Sequence, residues 1–207
     1  MKTPIRSGFF YYINPAFKIP IPMKYKIHEE KTVFDDHYKI IEAKITYETF
    51  EKKDITARRL AFERGDSVAI LLVDTETQSI LLTNQFRYPT CKHDEGWLLE
   101  IPAGSLEENE DPVGCIEREV MEELGYKINS PKQLHTFYTS PGASTERMFL
   151  FYAEVSPKDK IGDGGGNDAE NEDIQIVRIP ISEIKKNLAK ITDAKTLVAL
   201  QWFLLET

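Results

Sequence analysis

The sequence has no run of about 18 consecutive apolar residues, so it offers no segment able to span a bilayer. It is also poor in cysteine. Cys91 and Cys115 are its only two, and they lack the spacing of a metal-binding motif. Reduced, inert thiols are expected, as suits a cytoplasmic protein. Positive charge is in deficit, with 26 Lys and Arg against 34 Asp and Glu and a net charge of −8. That balance argues against a general nucleic-acid surface. There is no internal repeat and no basic helix–turn–helix segment. No secretory leader is expected either. The apolar stretch Phe9-Phe-Tyr-Tyr-Ile13 is short, Asn14 and Pro15 stop it, and no small-residue cleavage site follows. What remains is a 207-residue chain of ordinary globular composition. Its length fits one domain, or one domain with a small extra layer.

The chain divides by composition. Residues 1–24 are rich in proline, aromatic and basic residues and read as an irregular arm. Residues 25–64 carry β-branched and aromatic residues in imperfect alternation and read as a small antiparallel sheet. Residues 65–207 follow as the main domain. Val68–Val73 and Ile80–Gln85 form a hairpin pattern, and Trp97–Ile101 is a further short strand. A helix is predicted from Asp111 to Leu124. Asp111 is its N-cap, Pro112 its first residue and Gly125 the glycine that ends it. Val113, Ile116, Val120 and Leu124 recur at helical spacing and predict its buried stripe. Strands return at Gln133–Tyr138, Arg147–Val155 and Ile174–Ile179, and helices at Ser182–Leu188 and Thr192–Leu205. The interspersed pattern, without a regular βαβ period, predicts an α/β fold with a mixed sheet and helices on its faces.

The chemistry lies in the first helix. Glu117 to Glu123 holds four glutamates and one arginine. Glu119 and Glu123 are four apart and share a face, and Glu122 borders it. Like charges so spaced destabilise a bare helix by about 0.2–0.5 kcal/mol per pair. A hard divalent cation removes that repulsion, and carboxylate oxygens are the donors Mg²⁺ prefers. Arg118 can pair with Glu122 one turn on. A solvated acidic face is the plain alternative.

The fixed spacing decides between them. The segment resembles the Nudix box, G-x5-E-x7-R-E-U-x-E-E-x-G-U with U aliphatic. Gly104, Glu110, Arg118, Glu119, Val120, Glu122, Glu123 and Gly125 are all in register. Only Tyr126 departs, at a packing position within the box spanning 104–126. The resemblance implies a Nudix α/β/α sandwich and a Mg²⁺-dependent pyrophosphohydrolase, with Mn²⁺ as an alternative metal. It implies Glu119 and Glu123 as metal ligands, with the carbonyl of Ala103 beside them. Glu122 would serve a second metal or the water, and Arg118 would orient the glutamates. The reaction is attack by water on a phosphorus of a P–O–P bridge.

Further segments are similar to the nucleoside-diphosphate-sugar pyrophosphatase branch of that family, of the ADP-ribose and GDP-mannose type. They are Glu100-Ile-Pro-Ala-Gly104, Ser140-Pro-Gly-Ala-Ser-Thr-Glu146 and Asn84-Gln-Phe-Arg87. Gly164-Gly-Gly166 with Glu172-Asp-Ile174, and Asp193-Ala-Lys-Thr196, resemble GDP-mannose pyrophosphatases in particular. Ala143, Ala194 and Leu60 depart from the pattern. The resemblance implies that Glu172, on a mobile loop, supplies a metal ligand or the base for water, with Asp173 as second candidate. It implies substrate contacts from Arg58, Arg59, Arg87, Glu100, Gly104, Glu146 and Lys195. Arg64 is a further cation in reach of the nucleotide, and Phe62 or Tyr88 an aromatic to stack on its base. Members of the branch are homodimers joined through the N-terminal sheet. Residues 25–64 are too few to make a stable sheet alone, which agrees. The competing readings are a Nudix hydrolase of a dinucleotide or nucleoside triphosphate, and a non-catalytic sensor of NDP-sugars.

Overall fold

The structure is a computed structural model that describes residues 23–167, 169 and 171–206. Most of the expected N-terminal arm, residues 1–22, therefore lies outside the described residues. Contacts divide the chain into two compact units. One holds the described residues up to Lys31 together with Glu42–Arg59, and the other holds Thr32–Ile41 and Leu60 onward.

Three long strands form one antiparallel-patterned sheet in the order β1 (Tyr25–Asp35), β2 (Lys39–Glu48) and β3 (Asp54–Glu63). Every residue of β1 is exposed. The sheet holds exposed apolar side chains at Tyr25, Ile27, Val33, Phe34, Ile55 and Leu60.

The second sheet is the heart of the main unit. Its strands are β4 (Ser67–Asp74), β5 (Ser79–Phe86), β6 (Trp97–Glu100), β7 (Ala103–Ser105), β8 (Lys132–Tyr138), β9 (Arg147–Val155) and β10 (Ile174–Pro180). Their order is β10-β5-β4-β9-β8, with β6 paired to β5 and β7 to β4. The sheet is mixed. β4 and β9 run parallel in register from Ser67 opposite Met148 to Asp74 opposite Val155, and the other pairs are antiparallel.

The sequence of β4 explains the layering. It is buried along its whole length, which fits the unbroken apolar run Val68–Val73 of a strand covered on both faces. Successive side chains point to opposite faces. Val68, Ile70 and Leu72 pack with Ile116, Val120 and Leu124 of helix α1 (Pro112–Leu124). Ala69, Leu71 and Val73 pack with Ile184 of α2 (Ile181–Asn187) and with Ala199, Leu200 and Phe203 of α3 (Ala194–Glu206). The result is helix on sheet on helix, the α/β/α sandwich that the sequence predicts.

Helix α1 begins and ends as its sequence predicts. The Asp111 carboxylate accepts the N–H groups of Val113 and Gly114, and the chain leaves the helix at Gly125 with φ of 71°. The buried stripe differs at one end. Val113 is 40% exposed, and Cys115 is fully buried. The angle of Val113 about the helix is right for the core, so its exposure comes from its place in the first turn. Tyr126 fills an interior site, and its hydroxyl accepts a hydrogen bond from Arg178 at 2.5 Å. Arg178 also reaches the buried Asp74 at 2.9 Å. A tyrosine thus satisfies both the packing and the polar needs of a position expected to be aliphatic.

Candidate active site

Of the α1 acids, Glu117 is exposed and Glu122 half-buried, but Glu119 and Glu123 are not on a solvated face. Glu119 is 8% exposed and Glu123 is 2% exposed, because both lie on the flank of the helix that rests against the sheet. Burial pushes the Glu119 carboxyl up to about 7, with Glu122 and Glu172 adding repulsion and Arg118 opposing the rise. Burial likewise holds Glu123 well above the usual carboxylate range, reinforced by Glu119 and Glu172. The Glu123 carboxylate accepts the N–H of Ala103 at 3.2 Å. That bond ties the helix to β7, the strand just before it.

Arg118 gathers the other glutamates. Its Nε and Nη2 donate to the two oxygens of Glu110 at 3.1 and 3.2 Å. Its Nη1 lies 3.1 Å from Glu122 and 2.9 Å from Glu119. The forked pairing with Arg118 lowers the Glu110 carboxyl to about 2. The same carboxylate accepts the N–H of Glu107, which fastens the loop before the helix. Gly104 stands where that loop passes Glu119. A Cβ at Gly104 would lie 1.8 Å from a Glu119 carboxylate oxygen.

The glycine-rich loop closes the other end of α1. Gly165 and Gly166 donate their N–H groups to the carbonyls of Glu123 and Glu122 at 2.9 and 3.1 Å. These carbonyls belong to the last turn, which a helix leaves without internal partners. A Cβ at Gly164, whose φ is 72°, would meet backbone atoms of Leu124 and Glu123 at 2.6–2.7 Å. The loop then brings Glu172 back toward the helix. One Glu172 oxygen accepts the N–H of Asn167, and the other accepts the side-chain amide of Gln85, both at 3.2 Å. The resemblance implies a mobile loop, and its glycines let it swing in at low cost. Here the loop is docked on the helix, because glycine lets two backbones meet where any side chain would hold them apart. Asp173, the second candidate, is exposed.

Glu100 is 4% exposed and joins two cations, with Arg87 Nε at 2.8 Å and Lys195 Nζ at 2.5 Å. Burial opposes the charge of Arg87, and Glu100 outweighs it with help from Glu123 and Glu172. Arg87 therefore sits within the field of the acid group. Lys195 is held a second time by Asp193 at 3.1 Å. Asp193 opens α3 and caps it by accepting from the Thr196 N–H and hydroxyl. Glu146 is buried and accepts from Ser67 at 2.6 Å and Thr139 at 2.7 Å, with Arg64 at 3.4 Å. Arg64 also reaches Ser105, the residue after Gly104, at 3.2 Å.

Arg58 and Arg59 belong to the first unit. Arg58 pairs with Glu42 there, and Arg59 donates to the Arg58 carbonyl. Phe62 stacks edge-on against Tyr38, and Tyr88 is 80% exposed. Cys91 and Cys115 are free, and burial pushes the Cys115 thiol up to about 12, so it stays neutral. Gln85 and Asn167 were not read as site residues from sequence. Strand alternation held a signal for Gln85, since it places that residue on the same face as Arg87.

Glu119, Glu123 and Glu172 repel one another electrostatically and offer oxygen donors alone. Such a set fits a hard divalent cation, whose charge would relieve both the burial and the repulsion. Among the described residues, no three acids, histidines or cysteines are drawn together closely enough to form a ready-made metal cage. Each carboxylate is held instead by an arginine, a backbone N–H or an amide. A donor set of this kind leaves coordination positions for phosphate oxygens and water, as Mg²⁺-type sites do.

The fold and the site define an α/β protein with a buried, oxygen-only acid group beside two held cations, an arrangement suited to chemistry on phosphate. Comparison with known proteins specifies the family. A family model described as NUDIX domain matches residues 63–200. A GDP-mannose pyrophosphatase of Cronobacter sakazakii is 37% identical, over 76% of this chain and 84% of its own. One from Citrobacter koseri is 35% identical, over 82% and 90%. A solved structure described as an ADP compounds hydrolase superposes with a TM-score of 0.67, at 19% identity, over 88% of this chain and 93% of its own. The chain belongs to the NUDIX family, whose hydrolases use divalent metals.

Proposed function

We propose that the protein hydrolyses the pyrophosphate bond of a nucleoside diphosphate sugar to a nucleoside monophosphate and a sugar phosphate. GDP-mannose is the first substrate to test and ADP-ribose the second. The buried acid group of Glu119 and Glu123, faced by Glu172 from the docked loop, carries this reading. The relatives named GDP-mannose pyrophosphatase, at 33–37% identity, support the choice of first substrate. Mg²⁺ is the proposed metal, with Mn²⁺ able to replace it. When bound, it polarises phosphate oxygens and offsets the charge of the leaving group.

The residues of this chain do the remainder. Glu119, Glu123 and the Ala103 carbonyl would hold the metal, and Gly104 leaves room for the Glu119 carboxylate. Arg118 fixes Glu110, Glu119 and Glu122 in place. Arg87 and Lys195 bind phosphate, and Glu100 holds both in position. Glu172 orients the attacking water and takes its proton. Glu146 contacts the substrate or the metal, with Arg64 beside it. Arg58 and Arg59 bind the nucleotide.

We assign residues 25–64 to dimerisation and residues 65–207 to catalysis. The exposed length of β1 and its apolar side chains support a homodimer built on the N-terminal sheet. The two free cysteines support a cytoplasmic enzyme, and no described helix is long and apolar enough to cross a membrane.

The test is phosphatase-coupled phosphate release with Mg²⁺ over GDP-mannose, ADP-ribose, ADP-glucose, UDP-glucose, NADH, diadenosine polyphosphates and nucleoside triphosphates. Turnover of GDP-mannose or ADP-ribose above the rest supports the proposal. Turnover confined to triphosphates or dinucleotides rejects it.

A further inference from the structure

The odd-numbered residues of β5 face α1, as Leu81 shows by packing among the α1 core residues. Gln85 is on that face and is 6% exposed. Its strand neighbours in register are Ile174 on β10 and Leu98 on β6. An apolar side chain of similar size would suit such a place. The amide that stands there makes one hydrogen bond, from Nε2 to Glu172 Oε1 at 3.2 Å. Its carbonyl oxygen is one of only two buried side-chain polar atoms without a partner among the described residues.

The two ends of this amide have unequal roles. A carboxylate can only accept, so Glu172 fixes the orientation with the amide NH₂ toward it and the carbonyl away. The carbonyl is thereby left without a donor in the interior, where polar groups are nearly always paired. The fold keeps that unfavourable group in order to present one N–H to Glu172. Stability given up at one point for a directed contact marks a functional position.

The contact also differs in kind from the others that hold Glu172. Its second oxygen accepts the N–H of Asn167, which belongs to the same loop. Among the described residues, Gln85 is the hydrogen-bond partner that reaches this carboxylate from the central sheet. We infer that Gln85 is a positioning residue that fixes the Glu172 carboxylate to the sheet, so that Glu172 meets the water at a set angle. The inference rests on the role proposed for Glu172.

The experiment is a double-mutant cycle with Gln85→Leu and Glu172→Gln in the full-length, Mg²⁺-loaded enzyme, with GDP-mannose or whichever nucleotide sugar it turns over. Gln85→Leu should lower kcat by about tenfold or more and change KM by less than about twofold. It should leave Tm unchanged or raised, because leucine removes the unpaired carbonyl. In the Glu172→Gln background the same substitution should have little further effect. An unchanged kcat, equal losses in both backgrounds, or a Tm that falls along with the rate overturns the inference. Gln85→Met serves as the second apolar variant should leucine fail to pack. The two proposals fail separately. A Glu172→Gln enzyme at full rate removes the role of Glu172 and this inference with it. A slow Glu172→Gln beside a fast Gln85→Leu removes this inference alone.

Discussion

Glu119 and Glu123 are carboxylates kept where their charge is disfavoured, and the cause is burial more than mutual repulsion. The consequence for stability has a definite sign. The Glu119 carboxyl titrates near 7 when folded, against an ordinary value of 4.5. Between those values the folded chain binds more protons than the unfolded one, so stability falls as pH rises from about 4.5 to 7 and levels off above. A bound cation favours the charged form and reverses the penalty. In thermal melts with a chelator, this contribution should lower Tm between pH 5 and 7. Added Mg²⁺ should raise Tm more at pH 8 than at pH 5, and equal effects at the two pH values would remove the carboxylates from the metal site. Gly104 permits a second test of the same acid. Its missing Cβ leaves the space that a Glu119 oxygen fills. Gly104→Ala should displace that carboxylate, which is flexible enough to move without unfolding the chain. We expect kcat to fall by about tenfold or more while Tm changes by only a few degrees. A full-rate Gly104→Ala enzyme would mean that Glu119 is not needed where it stands.

At the scale of elements, the loop after β9 and the last turn of α1 act as one piece. Gly165 and Gly166 cap the carbonyls of Glu123 and Glu122, and Gly164 makes the approach possible. Gly164→Ala places a methyl against backbone, which cannot turn aside as a side chain can, at a φ that L residues rarely adopt. The loop should undock at a loss of about 1–3 kcal/mol. Protease cleavage within residues 160–173 should then appear and kcat should drop, and a variant with wild-type resistance and rate would contradict the clasp. This element also shows where sequence reading succeeds and where it stops. Helix α1 was legible because its signals are local: Asp111, Pro112, Gly125 and the apolar spacing lie within the helix or beside it. The Arg118–Glu122 pair was legible for the same reason, being one turn apart. The docking of the loop was not, because glycines in a polar stretch read as freedom until their neighbours are known. Gln85 was missed because its partner is 87 residues away, and no local pattern encodes that distance.

At the scale of the molecule, the first sheet poses a problem of stability that the second does not. The central sheet is covered by helices on both faces, and β4 has no exposed residue. The N-terminal sheet has three strands, and β1 is exposed from end to end, with Tyr25, Ile27, Val33 and Phe34 uncovered. Three strands become stable when an apolar face is packed against something else. An apolar strand left open also invites pairing with another chain. A second copy answers both requirements and removes the exposed surface from water in both protomers at once. Light scattering should therefore give twice the chain mass of 23.8 kDa at micromolar concentration. Ile27 and Val33 lie on one face of β1, and replacing both with glutamate puts four like charges into the shared interface of the pair. Ile27→Glu with Val33→Glu should shift the protein toward monomer and lower Tm. A wild-type monomer, or a double variant that stays dimeric, would move the interface away from β1. If the dimer also shapes the nucleotide site, through Arg58 or Arg59 on β3, the double variant should raise KM for the substrate more than it lowers kcat. Equal KM in the two forms would confine the sheet to a role in stability.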